Sequence, residues 1–452
     1  MQRRSRLRTV AAVGAWLTGA VSLSMSAAAD DPPPPRVVAA WPAGPFEVRI
    51  AFDRPVGDDV AKAAVGRSIA FDENRPTLHA KPGHQAEKAD SRGSLNVAAA
   101  RLDDMGRTLV LTTDPHPRAA AYSLALPVGP KPVDVHYDLT GVEASWNDGA
   151  ENASPAWSGW WPALSPSTAL ARFQQTALGA RLRELLGRPG VFTLDTLITL
   201  PKGEATVRIT ASAPLTATLN GEEPGPVEGP DAAQAPDGQV AVFRVESTGD
   251  PMPLTLTLKT GGPTDKPLAV RVVVRRGDGA AKEIDLTPEQ TLLPWTPAAP
   301  PTPAPLENAP TLTGGDAAKG KAVFFGMEAK CSACHKVRGE GGVVGPDLSD
   351  LVGRDRKGVY RDIAEPSARI HPNFVPYTVA LKDGRVLVGT VRAEGADALR
   401  VSDTEAKVTV VPRAEVEEVR SSATSIMPVG LVGVIGEERL RDLLAFLTSP
   451  PK

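Results

Sequence analysis

Only two cysteines occur in this chain of 452 residues, Cys331 and Cys334, and they share one short motif. No disulfide framework can be built from such a pair, so both thiols need another use. Aromatic residues are sparse, at 5%. A strong charge of one sign is also missing, because 50 Lys and Arg stand against 53 Asp and Glu, for a formal net charge of −3. That balance gives no support to a nucleic-acid partner, which would need a basic face. Beyond the N-terminus no stretch is apolar enough to cross a bilayer. The sequence contains no G-x-S-x-G elbow, H-E-x-x-H helix or P-loop. The histidines His79, His84, His116 and His136 are scattered.

Proline and glycine, by contrast, are abundant at 44 and 41 residues. They predict many turns, short strands and a stiff spacer. The length suits roughly two to four domains rather than one core. At the N-terminus Arg3, Arg4, Arg6 and Arg8 precede an apolar run over 10–25, followed by Ala27, Ala28 and Ala29. This is the pattern of an export signal over 1–29 with Asp30 as first mature residue; the alternative is a retained N-terminal anchor. No cysteine follows the cleavage site, which excludes a lipoprotein anchor. The expected location is the periplasm or another exported compartment, with no stable membrane span after cleavage.

Residues 30–150 read as a small β-sandwich of immunoglobulin-like type. Its alternating strands lie over 46–52, 108–111 and 122–126, with a polar loop over 77–98. Residues 151–293 read as a second β-rich module. It opens on Trp157, Trp160 and Trp161, continues with a helix over 167–186, and then has strands over 191–200, 205–212, 215–219, 240–245, 254–258 and 269–274. The tryptophans suit either a core or inter-domain seam, or a sugar-binding surface. A proline-punctuated linker over 294–312 favours extended polyproline II, at roughly 3.1 Å per residue. It is expected to separate the β-rich part from residues 313–452.

That last part carries the chemistry. Asp316 is a predicted N-cap for a helix presenting Phe324. Then follows Cys331-Ser332-Ala333-Cys334-His335, the haem c attachment pattern. Two thiols on one helical turn can each add to a vinyl group of haem, and the adjacent imidazole then lies under the iron. The alternatives are a thioredoxin-like redox pair, which wants a βαβ context, and a zinc half-site, which needs further ligands. For the sixth position the candidates are Met427, before the closing helix, and His371. A thioether opposite histidine raises the reduction potential, whereas a second histidine lowers it. Met327 precedes the motif too closely to reach across the ring. The closing helix, over 437–448, sets Leu440, Leu443, Leu444 and Leu447 on one stripe that can cross the first helix near Gly320.

From about Gly315 onward the chain resembles the haem-binding domain of planctomycete and verrucomicrobial cytochromes c, a branch of the class I cytochrome fold. The matching stretches are Cys331–His335, Gly345-Pro346-Asp347-Leu348, Glu365–Arg369 with the following Tyr377, and Ser425–Pro428 through Asp442–Leu447. The resemblance implies that Cys331 and Cys334 hold one covalent haem c, with His335 proximal and Met427 distal. It also implies that the Pro346 carbonyl receives the second imidazole nitrogen while Leu348 packs on the porphyrin. Such relatives carry a β-rich insertion, placed here at about 374–421 and expected to form a small SH3-like barrel. No regular histidine of the family stands where His371 does.

The expected fold class is therefore multidomain: two N-terminal β-sandwich-like modules, then a mainly α cytochrome c domain with a small β-barrel-like insertion. The expected function is an exported monohaem electron carrier, not an enzyme, serving a redox protein partner such as a periplasmic dehydrogenase. The alternatives are a haem sensor or enzyme with an open distal site, and a protein that binds a glycan or cell-surface ligand and carries a tethered cytochrome.

Overall fold

The computed structural model describes residues 34–72, 75–78, 92–150, 153–173, 177–226, 239–262, 267–277, 283–298 and 311–450. The expected signal segment, His79, His84 and most of the proline-rich segment lie outside these residues.

The first β region comprises β1 (Val37–Gly44), β2 (Glu47–Phe52), β3 (Ser68–Asp72), β4 (Arg92–Asp103), β5 (Thr108–Thr113), β6 (Ala121–Leu126) and β7 (Val133–Tyr137). They form one seven-stranded sheet in the order β1-β2-β5-β4-β3-β6-β7. In β2 the buried Val48, Ile50 and Phe52 alternate with half-exposed neighbours, as period-2 patterning requires. Strand β4 serves two halves of the sheet: Arg92–Asn96 pairs with β3, and Val97–Asp103 pairs with β5. The ladder with β5 slips between Val97 and Ala99, the kind of irregularity that bends a strand. Ile50, Leu109 and Leu111 from one half thus share a core with Ile69, Leu95 and Tyr122 from the other. A short helix α1 (Asp58–Ala64) adds Val60 and Ala64 to that core. Two expectations change here. The region is one continuous sheet folded around its core, and residues 92–98 are strand rather than loop. Leu95 and Val97 are buried there, an alternation hidden in sequence by the polar run before it.

The second region has β8 (Val142–Asn147), β9 (Trp157–Trp161), helices α2 (Pro166–Arg172) and α3 (Ala177–Leu186), β10 (Gly190–Thr199), β11 (Gly203–Ala211), β12 (Leu215–Leu219), β13 (Val240–Ser247), β14 (Pro251–Thr260), β15 (Val270–Arg276), β16 (Ile284–Asp285) and β17 (Thr291–Leu292). A six-stranded sheet, β12-β14-β10-β8-β9 with β17 on β10, and a four-stranded sheet, β13-β11-β15-β16, enclose one apolar cluster. Strand β8 falls before the expected boundary at 150, yet it pairs with β9 and β10. The helix expected over 167–186 is two helices; α2 ends at Phe173, whose backbone carbonyl abuts Gly179 of α3 where only a glycine fits.

The tryptophans divide their work. Trp161 is fully buried and meets Trp157 and Phe192 edge-on. Trp160 stacks on Trp41 of β1 at 5.9 Å and donates its indole N–H to the Thr140 carbonyl. The cluster is core plus seam.

The start of the proline-rich segment is packed: Trp295 rests on the core of the first region, and just before it the Leu293 N–H donates to the Leu139 carbonyl. The C-terminal part also returns to that region: Phe46 packs against the cluster formed by the insertion.

The C-terminal part holds α4 (Ala317–Phe325), α5 (Cys331–Cys334), a hairpin of β18 (Lys336–Val337) and β19 (Glu340–Gly341), and α6 (Arg356–Ala364). The insertion then supplies β20 (Pro376–Leu381), β21 (Val386–Glu394), β22 (Ala398–Ser402), β23 (Val408–Pro412) and β24 (Val416–Ser421), in sheet order β23-β22-β21-β20-β24. Gly384 takes a positive φ of 86° between β20 and β21, a conformation that glycine adopts without steric cost. Helices α7 (Leu431–Ile435) and α8 (Glu437–Thr448) close the chain. Among the described residues no helix is long and apolar enough to cross a membrane.

Candidate cofactor site

The site begins with a helix crossing. Asp316 caps α4 by accepting from the backbone N–H of Ala318 and Lys319, satisfying donors that a helix start leaves open. α4 buries Gly320, Val323 and Phe324, and α8 buries Leu440, Leu443, Leu444 and Leu447. Gly320 sits against the Asp442 backbone carbonyl and leaves no room for a Cβ. The buried Asp442 carboxylate accepts from the Asp316 N–H at 2.6 Å. Arg338 lies over the Phe446 ring at 4.7 Å and donates to the Phe446 carbonyl at the other end of α8.

On this frame the short α5 carries Cys331 and Cys334, both free thiols and half-buried. His335 follows at its C-cap, and its N–H donates to the Cys331 carbonyl at 2.9 Å. The His335 ring is held from the facing loop, with Nδ1 2.9 Å from the Pro346 carbonyl oxygen. A carbonyl can only accept, so Nδ1 carries the proton and Nε2 keeps a free lone pair. Gly345 lines the ring closely: a Cβ there would lie 2.7 Å from Cε1 and 2.9 Å from Nδ1. In the sequence this glycine stands out only as part of a motif; its tight fit on the imidazole is visible only in three dimensions.

Leu348, Cys331 and Met427 all pack against the one apolar cluster of α4, α6 and α8. Met427 is half-buried, with its N–H donating to Ser425 Oγ, and Ser425 N–H in turn donates to Ser367 Oγ. His371 is placed differently. It caps the turn Pro372–Phe374, where Nδ1 accepts from the Asn373 N–H at 3.2 Å, and its ring meets Phe374 edge-on.

Burial sets the protonation states. It pushes both thiols above their ordinary value, with Cys334 adding to the effect at Cys331 and Asp403 to that at Cys334. Burial lowers His335, against the opposing bond to Pro346, so the imidazole is neutral at pH 7. Two neutral thiols, a neutral imidazole with Nε2 available and a thioether on the same cluster form a donor set that fits haem c. A zinc half-site finds no support: among the described residues no three His, Cys, Asp or Glu side chains gather at one place.

Residues 317–377 match the family model described as Cytochrome c. The C-terminal part therefore carries a cytochrome c domain, which implies covalently bound haem c and haem-based electron transfer. The β-rich regions match no recognised family, and no curated protein matches the chain. Several solved structures are similar at low scores. An anti-sigma factor domain-containing protein from Clostridium clariflavum is 10% identical, with 55% of this chain and 84% of that chain covered and a TM-score of 0.22. A PA14 sugar-binding domain from an RTX adhesin is 12% identical over 34% of this chain and 98% of its own, at a TM-score of 0.22. A GH31 alpha-xylosidase from Xanthomonas citri is 10% identical over 54% of this chain and 25% of its own, at 0.21.

Proposed function

We propose that this chain is an exported monohaem c-type cytochrome that carries electrons to or from a redox protein partner and catalyses no reaction of its own. The observation that carries the reading is the His335 imidazole, fixed through Nδ1 to Pro346 with Nε2 left to bind a metal. Cys331 and Cys334 would hold the porphyrin through thioethers, and Leu348 would pack on it. His335 and Met427 would hold its iron. Haem supplies the one-electron couple when bound. The residues do the rest: Pro346 fixes the tautomer and direction of His335, and the cluster around Phe324 and Leu444 keeps water away. Met427 is favoured over His371 as distal ligand because it shares a cluster with Cys331 and Leu348, whereas His371 caps a turn at the insertion's start. The arginine-rich, apolar N-terminus supports export to the periplasm or beyond.

The test is a visible spectrum of protein matured with a haem-attachment system. The expected oxidised protein shows a methionine-to-iron charge-transfer band, and the reduced protein binds no carbon monoxide. Met427→Ala should abolish the band and admit carbon monoxide. A variant spectrum that stays low-spin and unchanged would overturn the axial assignment and turn attention to His371.

A further inference from the structure

The insertion and the first β region meet through bonds too specific for two bodies on a loose string. Asp114, at the end of β5, is 4% exposed. Its Oδ1 accepts from the Ala393 N–H of β21 at 2.9 Å, while Oδ2 accepts from the Asn96 N–H of β4 at 3.2 Å and lies 3.7 Å from the Arg392 guanidinium. One buried carboxylate thus bridges the backbones of two sheets. Around it, Ser94 N–H donates to Asn373 Oδ1 at 2.9 Å, Arg118 donates to the Ile370 carbonyl at 2.8 Å, and Tyr377 OH donates to the His116 carbonyl at 3.2 Å. Arg413 lies 4.5 Å over the Phe46 ring, and Phe46 itself packs into the insertion's core.

These contacts bury charge, which is tolerated only when the geometry holds the partners in register. Asp114 meets that condition with two backbone donors and a guanidinium. A partner that came and went would have to resolvate this carboxylate and free the Ala393 and Ser94 amides at every departure, each a loss comparable to a buried hydrogen bond.

We propose that the first β region is the permanent dock of the cytochrome domain. Its surface at Phe46, Ser94, Asp114 and His116 is the receptor for the domain's own β insertion. The cytochrome domain then does not swing on the proline-rich segment, and the insertion is a docking arm for this chain rather than for a foreign partner. The inference goes beyond the electron-carrier reading and does not depend on haem.

Hydrogen–deuterium exchange on the full chain tests it. Ala393 and Ser94 report best, because each donates to an acceptor on the other side of the joint. In the wild type both should exchange at least about tenfold more slowly than amides at the exposed Gly395 and Gly384 turns. Asp114→Ala should accelerate Ala393 and, if the joint parts as a unit, Ser94 as well, although the acceptor of Ser94 is Asn373. Leu443 in α8 and Leu194 in β10 should keep their protection. Tyr377→Phe, a milder change from the opposite side, should accelerate the same two amides to a smaller degree and serves if Asp114→Ala fails to fold. Wild-type Ser94 and Ala393 exchanging as fast as the turns would overturn the proposal. So would acceleration of Ala393 alone, with Ser94 unmoved in both variants.

Discussion

His335 and Pro346 are joined by one hydrogen bond, Nδ1 to carbonyl oxygen at 2.9 Å, across 11 residues of chain. The loop that makes this bond has room for nothing larger than a hydrogen at Gly345. Gly345→Ala should therefore push the imidazole out of line or shift the loop, at about 1–3 kcal/mol of stability. The matured variant should show a weakened low-spin spectrum with its attachment intact. An unaltered spectrum and melting temperature would show that the loop yields without moving the ring.

At the α4–α8 crossing two effects oppose each other. Alanine in place of Gly320 gains up to about 1 kcal/mol of helix propensity. Its Cβ, however, would run into the Asp442 carbonyl and the Phe446 side chain, and overpacking costs about 1–3 kcal/mol, more where the clash is with backbone. The clash wins. Gly320→Ala is expected to lower the melting temperature of the domain; an increase would contradict the packing described.

The first core contains a histidine that stays neutral. His116 donates from Nδ1 to the Pro45 carbonyl, while Nε2 lies 3.0 Å from Tyr137 OH. Burial lowers its pKa to about 4 from the ordinary 6.5. Between these values the unfolded chain binds a proton that the folded chain refuses, so stability falls as pH drops from about 6.5 towards 4. The loss between pH 7 and pH 4.5 should be on the order of 2–3 kcal/mol from this group. Denaturant midpoints of wild type and His116→Gln at both pH values will measure it. Equal acid sensitivity in the two proteins would remove His116 as the cause.

Trp41 and Trp160 stack across the seam between the first and second β regions, 5.9 Å apart at 22°. Trp41→Ala should cost about 2 kcal/mol, from lost apolar burial together with the ring–ring term. The near-ultraviolet circular dichroism should lose intensity at the tryptophan bands. A spectrum identical to wild type would mean the pair does not hold in solution.

Local signals were readable from sequence and long-range ones were not. The alternation in Glu47–Phe52, the Asp316 cap and the leucine stripe of Glu437–Thr448 each depend on neighbours a few residues away, and the structure has each element where the pattern put it. The part of strand Arg92–Asp103 that reads as loop, residues 92–98, has no clear local signature because its burial depends on partners in β3 and β5. Nothing local marks β8 as belonging with β10 rather than with the strands before it. At the site, Cys331, Cys334 and His335 announce themselves by spacing. The contact of Gly345 with the imidazole and the buried Asp442 do not, since each is defined by what lies opposite in space.

The Asp114–Ala393 and Ser94–Asn373 bonds each join residues 279 apart in sequence. A chain made from its N-terminus must therefore finish its first sheet, the whole second β region and much of its last lobe before either bond can close. Until then β4 and β5 wait with Ser94 and Asp114 lacking their distant partners, an order of events that slows maturation and exposes an apolar edge around Phe46. Assembly of the molecule thus brings an early-made surface together with a late-made one. Truncation anywhere before the insertion should strand that surface in water.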